Sequence, residues 1–279
     1  MISERALRRV AGHAGLGVGQ CEHEYVMLCA LDALSRTESL ADTFCLKGGT
    51  ALRLAYFADW RHSVDLDFSV LPTFAADGLR AGLIAWFQQV EALHGVSLSL
   101  RDYHAVNGAA RIRARFVGPL QHPSRLLFDV TLDEPVLLSP QRRPVVITLF
   151  EDLRPIVLCY SLEEILAEKL RSILQRGKAR DYYDVWRLLQ EKADHFDPYV
   201  VQSILVQKCA HKGLPAPEVM AFLDPALCES AAAFWSQDLS DQMPGVTLPV
   251  WDAVQEDLGR LLTGLLSIER LEADRDSSE

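Results

Sequence analysis

The chain has 279 residues, of which 49% are hydrophobic and 24% charged, a composition typical of a soluble globular protein with a sizeable core. The net charge is −10 and lies in the second half, because residues 1–150 hold 15 basic and 15 acidic residues whereas residues 151–279 hold 13 and 23. An acidic second half is a poor general-purpose nucleic-acid surface, so a polyanion partner would need a local basic patch. The acidity equally suits a basic protein partner, or serves solubility alone.

The six cysteines are scattered, without a CxxC pair or a local Cys/His cluster, which predicts buried reduced thiols; a structural zinc site is the alternative. The N-terminal stretch MISERALRRVAGHAG has neither a long apolar core nor a cleavage site, so we expect no signal peptide. No apolar run approaches the roughly 20 residues of a membrane helix. These features predict a cytoplasmic protein with no membrane partner.

Alternating helix-like and strand-like segments fill the chain up to about residue 160. Residues 110–117 show the clearest strand pattern, with arginines at alternate positions and apolar side chains between them. The patterns predict helices at 20–36, after Gly48-Gly49 and at 76–94, and strands at Phe44–Lys47, Val64–Val70, 110–117, 126–132, 144–149 and 156–160.

Helical patterns dominate from Ser161 onward. Ser161 and Glu164 form a capping box, and Asp224-Pro225 and Leu248-Pro249 resemble further helix starts with proline at the first helical position. The charged tail Glu269–Glu279 is expected to fray. The chain is therefore predicted to be α+β, with a mixed sheet and helices in residues 1–150 and a helical domain in residues 151–279.

The stretch FCLKGGTALRLAYFADWRHSVDLDFSV, residues 44–70, carries the clearest chemical signal. A Gly-Gly-Thr turn between a strand and a helix lets the backbone approach a ligand, and the N–H groups at the helix start favour an anion. Thr50 adds a hydroxyl. The same glycines also occur in such turns for purely steric reasons.

Asp65 and Asp67 follow on a strand, where residues two apart face the same side. Two carboxylates on a half-buried face repel each other unless they share a divalent cation such as Mg²⁺; a solvated strand end is the alternative. A phosphate-binding turn next to a metal-binding strand is what nucleotidyl transfer requires. Asp129, in an apolar strand, is the candidate third carboxylate and is preferred to Asp133; pairing with Arg111, Arg113 or Arg115 would equally explain it.

The second informative stretch is SLEEILAEKLRSILQRGKARDYYDVWRLL. Lys169 lies beside the apolar stripe of its helix, where a lysine snorkels to solvent or reaches a phosphate. Asp181 and Asp184 share one face of the next helix, and Asp181 could cap that helix. The stretch concentrates positive charge in an acidic half of the chain and is a candidate polyanion site, with Lys169, Arg171, Arg176, Lys178 and Arg180.

Three motifs resemble the AbiEii-type nucleotidyltransferase toxin family of the DNA polymerase β-like superfamily: LKGGTALRLAY, RHSVDLDF and AEKLRSILQRGKARDYYDVWRL. The likeness spans roughly residues 40–190. It implies a polymerase β-like nucleotidyltransferase core and a helical domain that completes the active-site cleft. It also implies the toxin of a toxin–antitoxin or phage-defence system, which uses an NTP and Mg²⁺ or Mn²⁺, modifies the 3′ end of tRNA to block translation, and has a cognate antitoxin protein.

The resemblance also assigns roles to individual residues. It places the triphosphate on Lys47, Gly48, Gly49 and Thr50, with Arg61 and Lys169 as further phosphate contacts. It assigns metal binding to Asp65 and Asp67. Lys169 and Asp181 match the essential lysine and aspartate of the family's later motif, AEKLRSILQRGKARDYYDVWRL. Asp129 as a metal ligand rests on the strand pattern alone. Possible RNA contacts are Arg111, Arg113, Arg115, Arg176, Lys178 and Arg180.

Two alternatives remain open from the sequence. The same machinery could modify a protein or a small molecule, and an RNA requirement would distinguish these acceptors. A non-catalytic NTP-binding or protein-interaction module on the same fold would bind NTP tightly without transfer.

Overall fold

The computed structural model describes residues 1–147 and 149–267, so the predicted fraying of the tail concerns residues outside the described part. The chain divides into two compact units, Met1–Tyr160 and a second that begins at Ser161. Sequence patterns place this division near residue 150. The strand Ile156–Cys159 belongs with the first unit, because it pairs there with two other strands of the sheet.

A seven-stranded mixed sheet organises the first unit, with strand order β3-β4-β5-β2-β1-β7-β6. The β1/β7 and β2/β5 pairs are parallel and the other pairs are antiparallel. The strands are β1 Phe44–Leu46, β2 Asp65–Val70, β3 Ser97–Val106, β4 Ala109–Val117, β5 Pro123–Thr131, β6 Gln141–Pro144 and β7 Ile156–Cys159.

One face of this sheet is apolar and packs an aromatic core. The Trp86 ring lies 5.8 Å from the Phe68 ring and 5.3 Å from the Phe128 ring, and the indole donates a hydrogen bond to the Ala30 carbonyl (2.7 Å). The opposite face carries the polar side chains of β2, β4 and β5, as the alternation in β4 predicts. The helices of this unit are α1 Glu4–Ala14, α2 Val18–Ser35, α3 Glu38–Ala41, α4 Gly48–Ala51 and α5 Leu79–His94.

The second unit is helical in its described part. Ser161 accepts a hydrogen bond from the Glu164 N–H, and Asp224 caps a helix that has Pro225 in its first turn, so both predicted helix starts are confirmed. The helices are α6 Leu162–Arg176, α7 Ala179–Glu191, α8 Pro198–His211, α9 Val219–Phe222, α10 Pro225–Leu239 and α11 Trp251–Leu266.

A few predicted elements are wrong in detail. Helix α11 begins at Trp251, so Pro249 precedes the helix, and its carbonyl accepts a hydrogen bond from the Trp235 indole. The strand predicted at 144–149 is instead β6, which ends at Pro144. Helix α1 and strand β3 were not predicted. The fold class itself, a mixed sheet with helices followed by a helical unit, is confirmed.

All six cysteines lie within the described residues, each of them buried and outside any disulfide, as predicted. Burial raises the pKa of Cys21 to about 11 and that of Cys159 to about 12, so these thiols are neutral at physiological pH. Within the described ranges, no helix combines the length and the apolar character that spanning a membrane demands.

Candidate active site

The Gly-Gly-Thr turn follows β1 and Lys47 and forms the start of α4, and it touches the carboxylate strand β2. Gly48 has a φ of +67°, and a Cβ at this position would lie 2.8 Å from Asp67 Oδ2. Any side chain at residue 48 would therefore be strained and would collide with that carboxylate. The helix continues from α4 into a π-helical turn, Leu52–Tyr56. The absence of a side chain at Gly48 keeps the backbone turn and the Asp67 carboxylate side by side.

Thr50 connects the turn to β2 through hydrogen bonds of its side chain. Its side chain is fully buried, and its hydroxyl donates to the Asp65 carbonyl (2.5 Å) and shares a second hydrogen bond with the Ser63 hydroxyl (2.7 Å). These contacts occupy the hydroxyl within the protein. In this arrangement Thr50 positions the turn against the strand, while phosphate contact by the hydroxyl stays a prediction.

Two basic side chains are packed around the same turn. Arg61 is buried, and a Cβ on Gly49 would lie 2.6 Å from its Nη2 atom, so the guanidinium lies directly against the glycine backbone. Lys47 is also buried, donates from Nζ to Thr131 Oγ1 (3.2 Å), and lies 5.7 Å from the centre of the Tyr160 ring. The turn therefore combines the backbone N–H groups of a helix start with positive charge, which suits an anion.

The acidic residues predicted from the sequence share one sheet face. Asp65 and Asp67 are both half-buried on β2, and Asp67 is the register partner of Asp129 on the parallel strand β5. Asp129 also accepts a hydrogen bond from Arg111 Nε (2.9 Å), an ion pair whose side chains are 42% and 78% exposed. The Asp129 bond raises the pKa of Arg111, and the charges of Asp65 and Asp67 add to this effect. Both interpretations of Asp129, as an ion-pair partner and as a neighbour of Asp67, therefore fit the geometry.

The donor chemistry of this face fits Mg²⁺. Magnesium is commonly held by one or two carboxylates, with water and phosphate oxygens at the remaining positions. Asp65 and Asp67 supply such a pair, and Gly48 leaves the space beside Asp67 without a side chain. Within residues 1–147 and 149–267, no three His, Cys, Asp or Glu side chains are grouped closely enough to hold a metal by themselves. The metal role of Asp65, Asp67 and Asp129 stays a prediction.

In the second unit, Lys169 lies in a buried ion-pair network rather than snorkelling to solvent. Its Nζ is 2.9 Å from Asp181 Oδ1 and 2.9 Å from Asp184 Oδ2, and both aspartates are buried. Arg176 Nε lies 2.9 Å from the other oxygen of Asp181. Burial would raise the pKa of Asp181, but the charges of Lys169 and Arg176 outweigh it and hold the pKa well below its usual range. Asp181 and Asp184 thus hold a charged ammonium group in a fixed position.

The remaining predicted basic contacts divide by environment. Arg113 is exposed and pairs with Asp102 (2.9 Å), while Arg115 is exposed and has no ion pair among the described residues. In the second unit, Arg171 is buried near Glu168 (3.9 Å). Arg176 and Lys178 are exposed and Arg180 is half-buried. The exposed arginines of β4 and of the α6–α7 turn remain candidate polyanion contacts.

Sequence patterns missed several residues that support these sites. Ser63 and Thr131 bond to Thr50 and Lys47 through tertiary contacts, for which the sequence carries no signal. The i, i+3 spacing of Asp181 and Asp184 indicates that they share a helix face, but it does not indicate that both bind Lys169. Arg125 could have been found, because it alternates with Leu127 and Asp129 along β5.

Two comparisons relate the chain to known proteins. The family model described as the nucleotidyl transferase AbiEii toxin of a type IV toxin–antitoxin system matches residues 31–257. The solved structure of MenT4, a nucleotidyltransferase toxin from Mycobacterium tuberculosis H37Rv, is similar with a TM-score of 0.65 and 18% identity; the match covers 95% of this chain and 90% of that chain. At this identity the structural match bears on the fold. No curated protein matched the sequence.

Proposed function

The chain belongs to the AbiEii family of nucleotidyltransferase toxins, and from this premise we propose that it transfers a nucleotide from an NTP to the 3′ end of tRNA in a Mg²⁺-dependent reaction. Such a modification would block aminoacylation and thus translation. A cognate antitoxin protein would counteract it, as the type IV toxin–antitoxin description of the family implies.

The contact between Gly48 and Asp67 is the observation that carries this proposal. Because the turn and the carboxylate lie within van der Waals reach, a triphosphate on the turn would place its oxygens beside Asp67. Thr50 fixes the relative position of the two elements through its bond to the Asp65 carbonyl. A phosphate bound at the turn would therefore lie next to the carboxylate pair, which is the arrangement that phosphoryl transfer requires.

The protein's own groups would share the work in a defined way. The N–H groups of Gly48 and Gly49 bind the β- and γ-phosphates, and Lys47 and Arg61 add positive charge behind the turn. The acceptor hydroxyl bonds to the α-phosphorus, the bond from that phosphorus to the α–β bridging oxygen breaks, pyrophosphate leaves, and the hydroxyl proton passes to water. Asp65 and Asp67 would hold Mg²⁺, which supplies charge neutralisation for the phosphates and lowers the pKa of the attacking hydroxyl. Lys169 stays a predicted phosphate contact, with Asp181 as the residue that orients its ammonium group.

A labelling experiment tests the reaction class and the acceptor together. Purified protein is incubated with Mg²⁺, total tRNA and each NTP in turn, labelled either at the α- or at the γ-phosphate, and RNA and protein products are separated. We expect label on RNA from one α-labelled NTP, none from its γ-labelled form, and none in EDTA.

A matched pair of variants assigns the activity to the site. Asp67→Asn should abolish transfer, whereas Asp77→Asn, an exposed aspartate in the first unit, should retain it. Label on protein instead of RNA would replace the tRNA acceptor with a protein acceptor. NTP binding without any transfer would contradict the enzymatic proposal and favour a binding module.

A further inference from the structure

Three arginines on the polar face of the sheet lie together without a carboxylate partner among the described residues: Arg101 on β3, Arg115 on β4 and Arg125 on β5. All three are exposed, and with Arg113 they surround a groove of about 430 Å³. The neighbouring arginines differ, because Arg111 pairs with Asp129 and Arg113 pairs with Asp102. An unneutralised basic cluster in a protein of net charge −10 needs an explanation.

Strand register brings these charges together at a cost to stability. Arg115 is the direct cross-strand partner of Arg125, and like charges in that position are destabilising. Arg101 lies at an irregularity in β3, between Leu100 and Asp102, where the register with β4 shifts. A bulge of this kind redirects a side chain. An anion bound between the guanidinium groups would remove the repulsion.

The groove lies on the same sheet face as the carboxylates. Arg125 and Asp129 are four residues apart on β5, so their backbones are about 13 Å apart along the strand, at about 3.3 Å per residue. Asp129 in turn is in register with Asp67 on β2. Along β4, Arg115, Arg113 and Arg111 form a row toward the same carboxylates. A linear polymer bound along this row of arginines would therefore have one end near Asp67.

We infer that the Arg101–Arg115–Arg125 groove is a phosphate-binding subsite for the acceptor strand, a few nucleotides from its reacting 3′ end. The inference rests on the proposed function. Guanidinium groups bind phosphate oxygens in bidentate fashion. Along β4 the alternate residues Arg115, Arg113 and Arg111 repeat about every 7 Å, a spacing that suits successive phosphates of a nucleic acid backbone better than a single small anion. The subsite reads phosphates and not bases, so it supplies affinity and direction without sequence specificity.

The salt dependence of RNA binding tests this inference independently of catalysis. A fluorescently labelled single-stranded RNA is titrated without NTP, at several salt concentrations, with three triple variants. Arg101→Ala/Arg115→Ala/Arg125→Ala removes the subsite, and the corresponding triple lysine variant keeps its charge. The control is Arg5→Ala/Arg9→Ala/Arg80→Ala, which removes three exposed arginines elsewhere in the first unit.

Each phosphate contact contributes about 0.7 to the slope of log K against log salt for single strands, so the alanine variant should lose a slope of about 2 and bind at least about tenfold more weakly. The control and the lysine variant should keep most of the slope, and NTP affinity should not change in any variant. In the transfer assay, the alanine variant should raise KM for RNA and leave KM for NTP as it was.

One result would overturn the inference: an alanine variant with the wild-type slope and affinity. That result would leave the proposed transfer reaction standing if wild-type protein still labels RNA. A DNA strand of the same sequence forms a parallel arm: equal slopes on both strands support backbone recognition, whereas loss of affinity for DNA alone would show that the 2′-hydroxyl contributes at this site.

Discussion

Gly48→Ala is the substitution that most directly probes the contact between the turn and the carboxylate. Gly48 has a φ of +67°, a conformation that costs a non-glycine residue about 1–2 kcal/mol. In addition, the new Cβ would lie 2.8 Å from Asp67 Oδ2. Restoring an ordinary contact of about 3.5 Å would move the carboxylate or the turn by about half an ångström or more.

This displacement should affect catalysis much more than stability. A misplacement of about 1 Å near reacting groups can cost about a hundredfold in rate, so we expect Gly48→Ala to lower nucleotide transfer by about tenfold to a hundredfold. The loss of folding free energy should be about 1–2 kcal/mol, from the backbone strain. Transfer is measured with the α-labelled NTP, and stability by urea unfolding.

The chain provides a matched control for the strain alone. Gly15 also has a φ of +67°, but a Cβ there would meet no atom within 4 Å. Gly15→Ala should therefore lose comparable stability and keep wild-type transfer. If Gly48→Ala and Gly15→Ala had the same activity, the close approach of residue 48 to Asp67 would have no catalytic meaning, and the argument from the turn would fail.

Three further predictions concern the buried polar groups. Thr50→Val should cost about 1–3 kcal/mol of stability, because it leaves the Asp65 carbonyl and Ser63 without the hydroxyl; in urea unfolding Thr50→Ser should lose much less, and equal losses would contradict the positioning role. Lys169→Met should cost about 3–5 kcal/mol, because it takes a positive partner away from the buried carboxylates of Asp181 and Asp184; a wild-type urea midpoint would contradict the buried pairing. The depressed pKa of Asp181 contributes stability that is present at neutral pH and is lost as pH falls below the unfolded value of about 4. Asp181→Asn should flatten the fall of the urea midpoint from about pH 5 downward and leave its pH dependence above pH 5 unchanged. A wild-type profile in this acidic range would show that another group governs it.

Local sequence patterns were sufficient for most elements that carry the site. The two glycines predict the Gly-Gly-Thr turn. The period of two of a β-strand predicts that the two aspartates of β2 share a face and that the arginines of β4 do so too. The register that aligns Asp67 with Asp129 is a long-range pairing, and nothing in either strand specifies it. Strand β3 escaped prediction because the irregularity at Arg101 interrupts its alternation, and it lies at the edge of the sheet with few buried side chains.

Roles of side chains were harder to predict than positions. Lys169 was correctly placed beside the apolar stripe of its helix, but the sequence did not reveal that two aspartates of the next helix enclose its ammonium group. Thr50 is predicted to bind phosphate because it follows two glycines, but the sequence did not reveal that its hydroxyl bonds to the Asp65 carbonyl of β2. In both cases the deciding contacts join residues 12 to 15 positions apart. The periodicity of a single helix or strand does not predict contacts at that separation.

The most direct test of the central claim compares Asp67→Asn with Asp77→Asn in α-label transfer to total tRNA, with Mg²⁺ and the preferred NTP. The account predicts wild-type label on the RNA 3′ end for Asp77→Asn and none for Asp67→Asn, with both variants folded and binding NTP. Equal labelling by the two variants, or label that persists in EDTA, would contradict the assignment of the Gly48–Asp67 site as the centre of nucleotidyl transfer.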